Sequence, residues 1–252
     1  RSNQKNTWVM RNQLTILFAF IFIACNGQSS KDTEIWEPVP KKVYSSSDSS
    51  APDDAIVLFD GKDLSKWKAK WGGKESEWQI NDDGSVTVVF DGTGGIQTIE
   101  NFGSVQLHLE WKTSEDLSHK LQDRSNSGVF LQNRYEIQIL DSYDNPTYVN
   151  GQAGSVYKQH IPLVNASRKP GEWQSYDIIF EAPEFNDDGE KTKSGFFTVF
   201  HNGILIQNHV EILGTTENVG PPKNIAHGDA PISLQNHCCT QISFRNIWVR
   251  KL

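Results

Sequence analysis

Val105-Gln106-Leu107-His108-Leu109-Glu110-Trp111-Lys112 alternates without a break between large apolar residues and polar ones. Successive side chains of a strand point to opposite faces, so Val105, Leu107, Leu109 and Trp111 share one side. Gln106, His108, Glu110 and Lys112 share the other. The stretch predicts a strand with one face in a core and one face polar, as antiparallel sheets have.

Similar short runs lie on both sides of it. Ile56–Phe59, Ser85–Phe90 and Ile96–Ile99 precede it; Ser127–Gln132, Tyr135–Leu140, Gln174–Glu181 and Phe196–His201 follow. Asn202-Gly203 then leads directly into Ile204–Gln207, and Asn-Gly between two apolar runs is a strong hairpin signal because both positions tolerate positive φ. The last run, Ile242–Val249, is expected to close a sheet against the beginning of the domain. No long amphipathic helix and no fixed repeat is visible. Many strands in about 200 residues predict an all-β, two-sheet jelly-roll sandwich.

The chain has 252 residues, eight Trp and thirteen Phe, which is enough apolar surface for one sizeable core. Its net charge of −7 argues against nucleic acid, whose phosphates need a basic face. Arg11 precedes an apolar run, Leu14 to Ala24, that ends at Cys25, with Met10 as a plausible start. That layout reads as a secretory signal over residues 1–25 that is too short to span a bilayer comfortably. The ending resembles a bacterial lipobox, so Cys25 is expected to carry lipid and to hold an exported protein to the cell envelope. That anchor is the expected membrane contact. Residues 26–52, rich in Ser, Asp, Pro and Lys, read as a flexible tether, with the folded domain at 53–252. Adjacent Cys238 and Cys239 read as small buried apolar residues rather than redox or metal groups.

The chemistry is expected around Tyr135-Glu136-Ile137-Gln138-Ile139-Leu140-Asp141. Tyr135, Ile137 and Ile139 alternate toward one face, while Glu136 and Gln138 point to the other. A bulge near Leu140 would return Asp141 to the polar side. Polar groups projecting from a central strand are how a sheet builds a carbohydrate site; the alternative is a solvated face. The row resembles the E-x-D-x-x-E strand of retaining β-glucanases of the concanavalin A-like class, with Gln138 and Asp141 replacing two of the acids. Trp71, Trp78 and Trp173 are candidate sugar platforms, although Trp in a small β-sandwich is more often a core residue. His201, beside the Asn-Gly turn, reads as a hairpin residue.

A broader resemblance runs through the domain. Leu58-Phe59-Asp60-Gly61-Lys62-Asp63-Leu64, Asn126-Ser127-Gly128-Val129-Phe130-Leu131, the Tyr135–Asp141 segment, Gly171-Glu172-Trp173, His201-Asn202-Gly203, Leu234-Gln235-Asn236-His237 and Phe244-Arg245-Asn246-Ile247-Trp248 follow one another. In that order they resemble the bacterial 3-keto-disaccharide hydrolase family. The resemblance implies a concanavalin A-like sandwich and elimination followed by hydration at an oxidised sugar. Such chemistry needs a base, a group that stabilises an enolate and an acid at the leaving oxygen. His237 is the candidate base, because its pKa lies nearest neutrality. Tyr157 is a candidate acid, and Glu136 and Asp141 are candidate catalytic carboxylates or ligands of a divalent cation. Arg124 is a candidate anchor for a substrate's negative charge. Asn126, Gln138 and Gln235 are candidate substrate contacts. A dehydratase or lyase acting on uronate-containing oligosaccharides would use the same parts. A non-catalytic carbohydrate-binding module would need aromatic platforms and no acid–base set.

Overall fold

The computed structural model describes residues 29–47, 50–237 and 239–252. The apolar run ending at Cys25 lies outside the described residues, as does Cys238. The described chain divides into a segment ending at Lys42, which holds one 3-10 turn (Ser30–Thr33), and a compact unit over Val43–Leu252.

Its strands in chain order are β1 (Ile56–Phe59), β2 (Trp67–Ala69), β3 (Gln79–Ile80), β4 (Val86–Thr87), β5 (Gly95–Thr98), β6 (Val105–Thr113), β7 (Ser127–Leu131) and β8 (Tyr135–Ile139). There follow β9 (Trp173–Glu181), β10 (Glu184–Phe185), β11 (Lys191–Lys193), β12 (Phe196–His201), β13 (Ile204–Glu211), β14 (Ser233–Gln235) and β15 (Ile242–Lys251). One sheet runs β13-β12-β9-β6-β15-β4-β3, with β1 also paired to β15; a second runs β2-β5-β14-β7-β8. Strands β10 and β11 form a separate ribbon. The last long strand does close on the first, through Ile56 opposite Val249 and Val57 opposite Trp248.

The alternation of β6 explains its central place. Val105, Leu107, Leu109 and Trp111 are all buried, and they pack with Ile178 and Phe180 of β9 and Phe244 of β15. The second sheet supplies Ile96, Val129, Leu131, Ile137, Ile139 and Leu234 to the same core. Two sheets meeting over one apolar layer are a sandwich of concanavalin A-like jelly-roll type, and each such side chain contributes about 1.5–3 kcal/mol by leaving water. Asn202 and Gly203 take φ of 53° and 76°, the two positive values that a tight β12–β13 turn requires.

The polar face of β6 is not simply solvated. His108 is only 2% exposed, stacks on Trp248 and places Nδ1 at 2.7 Å from the Asp177 carboxylate. Burial alone would depress its pKa, but Asp177 and Glu110 raise it to about 9. His201 is the hairpin residue expected, opposite Ile204 across the turn, and it is buried, with Nε2 2.8 Å from Gln174 Oε1 and a pKa pushed down to about 3 by desolvation. Trp78 joins the core, stacked on Phe244, whereas the Trp173 ring lies 4.7 Å from the Lys112 ammonium and 4.1 Å from the Arg245 guanidinium.

Candidate active site

The outward face of the β2-β5-β14-β7-β8 sheet carries a cleft of roughly 360 Å³. Period-2 alternation builds it. On β8, Tyr135, Ile137 and Ile139 enter the core, so Glu136 and Gln138 project the other way. On β7, Val129 and Leu131 enter the core, and Phe130 projects outward beside them. On β14, Leu234 is core and Gln235 faces the cleft. Asn126, Tyr157, Thr216, Asn218 and His237 complete the lining from the adjoining segments.

The outer edge of β8 is occupied by residues 154–157. Gly154 N–H donates to the Gln138 carbonyl, Gln138 N–H to the Ser155 carbonyl, and Tyr157 N–H to the Glu136 carbonyl at 3.1 Å. Those bonds place Tyr157 against Glu136. Thr216 accepts from Glu136 N–H at 3.0 Å, which brings the segment after β13 to the same edge. Asn218 is held by Lys158, whose Nζ donates to its side-chain oxygen at 2.9 Å.

Glu136 is fully buried by its neighbours, and desolvation pushes its carboxyl up to about 8, against a smaller opposing pull from the Lys70 ammonium. It is therefore protonated at neutral pH. Gly128 on β7 makes room for it, since a Cβ there would lie 2.2 Å from Glu136 Oε1. Gln138 turns its amide nitrogen toward Glu136 Oε1 at 3.1 Å and the Ser127 carbonyl at 3.0 Å, the orientation in which donors meet acceptors. Lys70 spans the neighbouring surface with Nζ 4.5 Å from the Phe130 ring, and burial lowers its pKa.

His237 follows β14 directly. Its neighbour Asn236 is pinned by N–H donation to the Gly94 carbonyl and by Nδ2 donation to the Val89 carbonyl at 2.7 Å and to Asp91 at 3.1 Å. Burial lowers the imidazole pKa, only partly offset by Asp123, so the ring is neutral at pH 7. Its Nδ1 is buried without a hydrogen-bond partner among the described residues. Tyr157 donates to or accepts from Tyr148 at 2.6 Å, and burial raises its pKa well above the usual phenol value, so it stays protonated.

Glu136, Gln138, Asn126, Tyr157, Gln235 and His237 thus line one cleft. Asp141 and Arg124 do not. Strand β8 ends at Ile139, and the expected bulge does not return Asp141 to the outward face. Instead Asp141 is buried and accepts from Arg124 Nε at 2.7 Å, while Arg124 Nη2 donates to the Tyr143 carbonyl. The two charges neutralise each other, which removes Arg124 as an anchor for a substrate anion and Asp141 as a partner for Glu136. The joint cation site expected of Glu136 and Asp141 does not form. Among the described residues no group of three or more His, Cys, Asp or Glu converges as a metal site. Cys239 also departs from expectation: it is exposed and disulfide-bonded, not a buried apolar residue. Lys70, Phe130, Thr216 and Asn218 carry no sequence signal that separates them from structural residues.

The 3-keto-alpha-glucoside-1,2-lyase-like domain matches residues 54–250. The chain is 50% identical to a candidate glycosyl hydrolase of Parabacteroides distasonis ATCC 8503 of known structure, covering 90% of this chain and 98% of that one, with a TM-score of 0.86. A second candidate glycosyl hydrolase of the same organism is 19% identical over 79% of this chain and 94% of its own, with a TM-score of 0.57, a likeness of fold alone. No functionally curated protein matches the chain.

Proposed function

The chain belongs to the 3-keto-alpha-glucoside-1,2-lyase-like family, and on that premise we propose that it is a carbohydrate-active enzyme that cleaves 3-keto-glycosides by proton abstraction and elimination. The observation that carries this reading is one cleft lined both by His237, whose Nδ1 has no hydrogen-bond partner among the described residues, and by the buried carboxyl of Glu136; burial lowers the pKa of the first and raises that of the second. That is the base-and-acid complement that elimination next to a carbonyl needs at neutral pH.

In the proposed reaction the sugar's ketone acidifies the adjacent C–H, and His237 takes that proton. The electron pair forms a C=C bond to the anomeric carbon as the glycosidic C–O bond breaks. Glu136 gives its proton to the departing oxygen. Gln138, donating to Oε1, leaves Oε2 to carry that proton. Tyr157, held protonated by burial, is suited to donate to the developing enolate. Asn126 and Gln235 offer hydrogen bonds to ring hydroxyls. Addition of water to the unsaturated product makes the sum a hydrolysis. The engagement of Arg124 by Asp141 gives this reading the advantage over one in which a uronate carboxylate is bound.

Purified protein incubated with 3-keto-glycosides should release alcohol and form an absorbing unsaturated ketone. His237→Ala should lower turnover by about 10² or more with the fold intact. Release of alcohol at the wild-type rate by that variant would sink the assignment of the base. We also propose that the protein is exported and held to the cell envelope by lipid on Cys25.

A further inference from the structure

His237 lines a second depression, of about 450 Å³, on the side of the cleft away from Glu136. Its other walls are of a different kind. Trp71 is 62% exposed, an unusual state for the largest apolar side chain, and Phe90 is 46% exposed. Gly94 lies beneath the indole: a Cβ there would come within 2.9 Å of three of its ring atoms, and φ is +72°. The backbone N–H of Trp71 also donates to the Thr93 carbonyl at 3.0 Å, which fixes the main chain that carries the ring beside Gly94. Cys239 forms part of the wall, its sulfur bound in a disulfide and therefore not nucleophilic. Asn236 adds a polar side chain whose amide nitrogen is already engaged by Val89 and Asp91.

We infer that this depression is the subsite for the leaving half of the substrate, and that it takes a flat apolar ring such as an aromatic aglycone. The inference rests on the proton-abstraction reading of the cleft, because it is His237 that joins the two spaces. A substrate whose reacting bond sits at His237 extends on both sides of it. The hydroxyl-bearing ring fits the polar side, where Gln138, Asn126 and Gln235 stand. The other half meets an indole, a phenyl ring, glycine backbone and sulfur. These surfaces stack well on a planar ring and offer little to the hydroxyl groups of a second sugar.

Binding of ordinary phenyl and methyl glucosides, neither oxidised, tests the subsite without turnover. By calorimetry or ligand-observed NMR the phenyl glycoside should bind about tenfold more tightly than the methyl glycoside. Trp71→Ala should erase that preference, and Trp71→Phe should retain most of it. Equal binding of the two glycosides by the native protein would overturn the proposal. So would a preference that survives Trp71→Ala. A disaccharide that gains as much from Trp71 as the phenyl glycoside does would overturn the choice of an aromatic occupant. If the preference behaves as stated while no 3-keto-glycoside is turned over, the subsite stands and the proton-abstraction reading falls.

Discussion

Replacing Glu136 with Gln removes an ionisable group while keeping its shape and one hydrogen-bond acceptor. In the native fold burial raises the carboxyl from the ordinary 4.5 to about 8. A raised carboxyl pKa means that the folded state holds its proton over a range in which the unfolded chain has lost it. Stability must then fall as pH rises from 4.5 toward 8, and stay level above that. At ~1.4 kcal/mol per pH unit the full interval corresponds to about 5 kcal/mol, and by pH 7 to somewhat over 3 kcal/mol. That is a large part of the 5–15 kcal/mol that typically holds a domain together. Glu136→Gln should therefore match the native protein near pH 4.5 and be more stable than it by several kcal/mol at pH 8, as read from urea unfolding at fixed temperature. The same variant should lose turnover by about 10² or more, since its amide has no proton to give to a leaving oxygen. A stability difference that does not change between pH 5 and pH 8 would refute the desolvated, protonated state of Glu136.

The pH profile of kcat/KM should be a bell. It should rise as His237 loses its proton, at a pH below 6.5, and fall as Glu136 ionises near 8; a flat profile through pH 8 would dissociate Glu136 from the chemistry. Arg124→Ala should destabilise the fold by about 3–5 kcal/mol by leaving Asp141 buried and unpaired, with KM changed little in the protein that remains folded. Cys25→Ser should move the protein from the membrane fraction to the soluble one; equal partitioning would contradict the lipid anchor.

The fold was legible wherever one face of a strand is buried. The β6 alternation, the Asn202-Gly203 turn and the closing run from Ile242 each carry a local signal, and each forms the element expected. Glu136 and Gln138 could be placed together for the same reason. Asp141 could not, because its position depends on where β8 stops and on an arginine 17 residues earlier in the chain. His237 lies on another strand's end about a hundred residues on, so only the family resemblance brought it to Glu136. Trp71 reads like the other tryptophans in sequence; that it lies exposed with Gly94 against its ring depends on the packing of two distant turns, and no periodicity reveals that. Lys70 and Thr216 reach the site through sheet order and loop packing, which spacing does not encode.

Reaction of a 3-keto-glycoside in deuterated water, followed by NMR of the released sugar, tests the proposed chemistry most directly. Abstraction of the proton beside the carbonyl, then elimination and hydration, predicts solvent deuterium at that carbon in the product. His237→Ala should suppress both the deuterium and the release. A native protein that frees the sugar with its original hydrogen still in place would contradict proton abstraction altogether and point to direct displacement at the anomeric carbon.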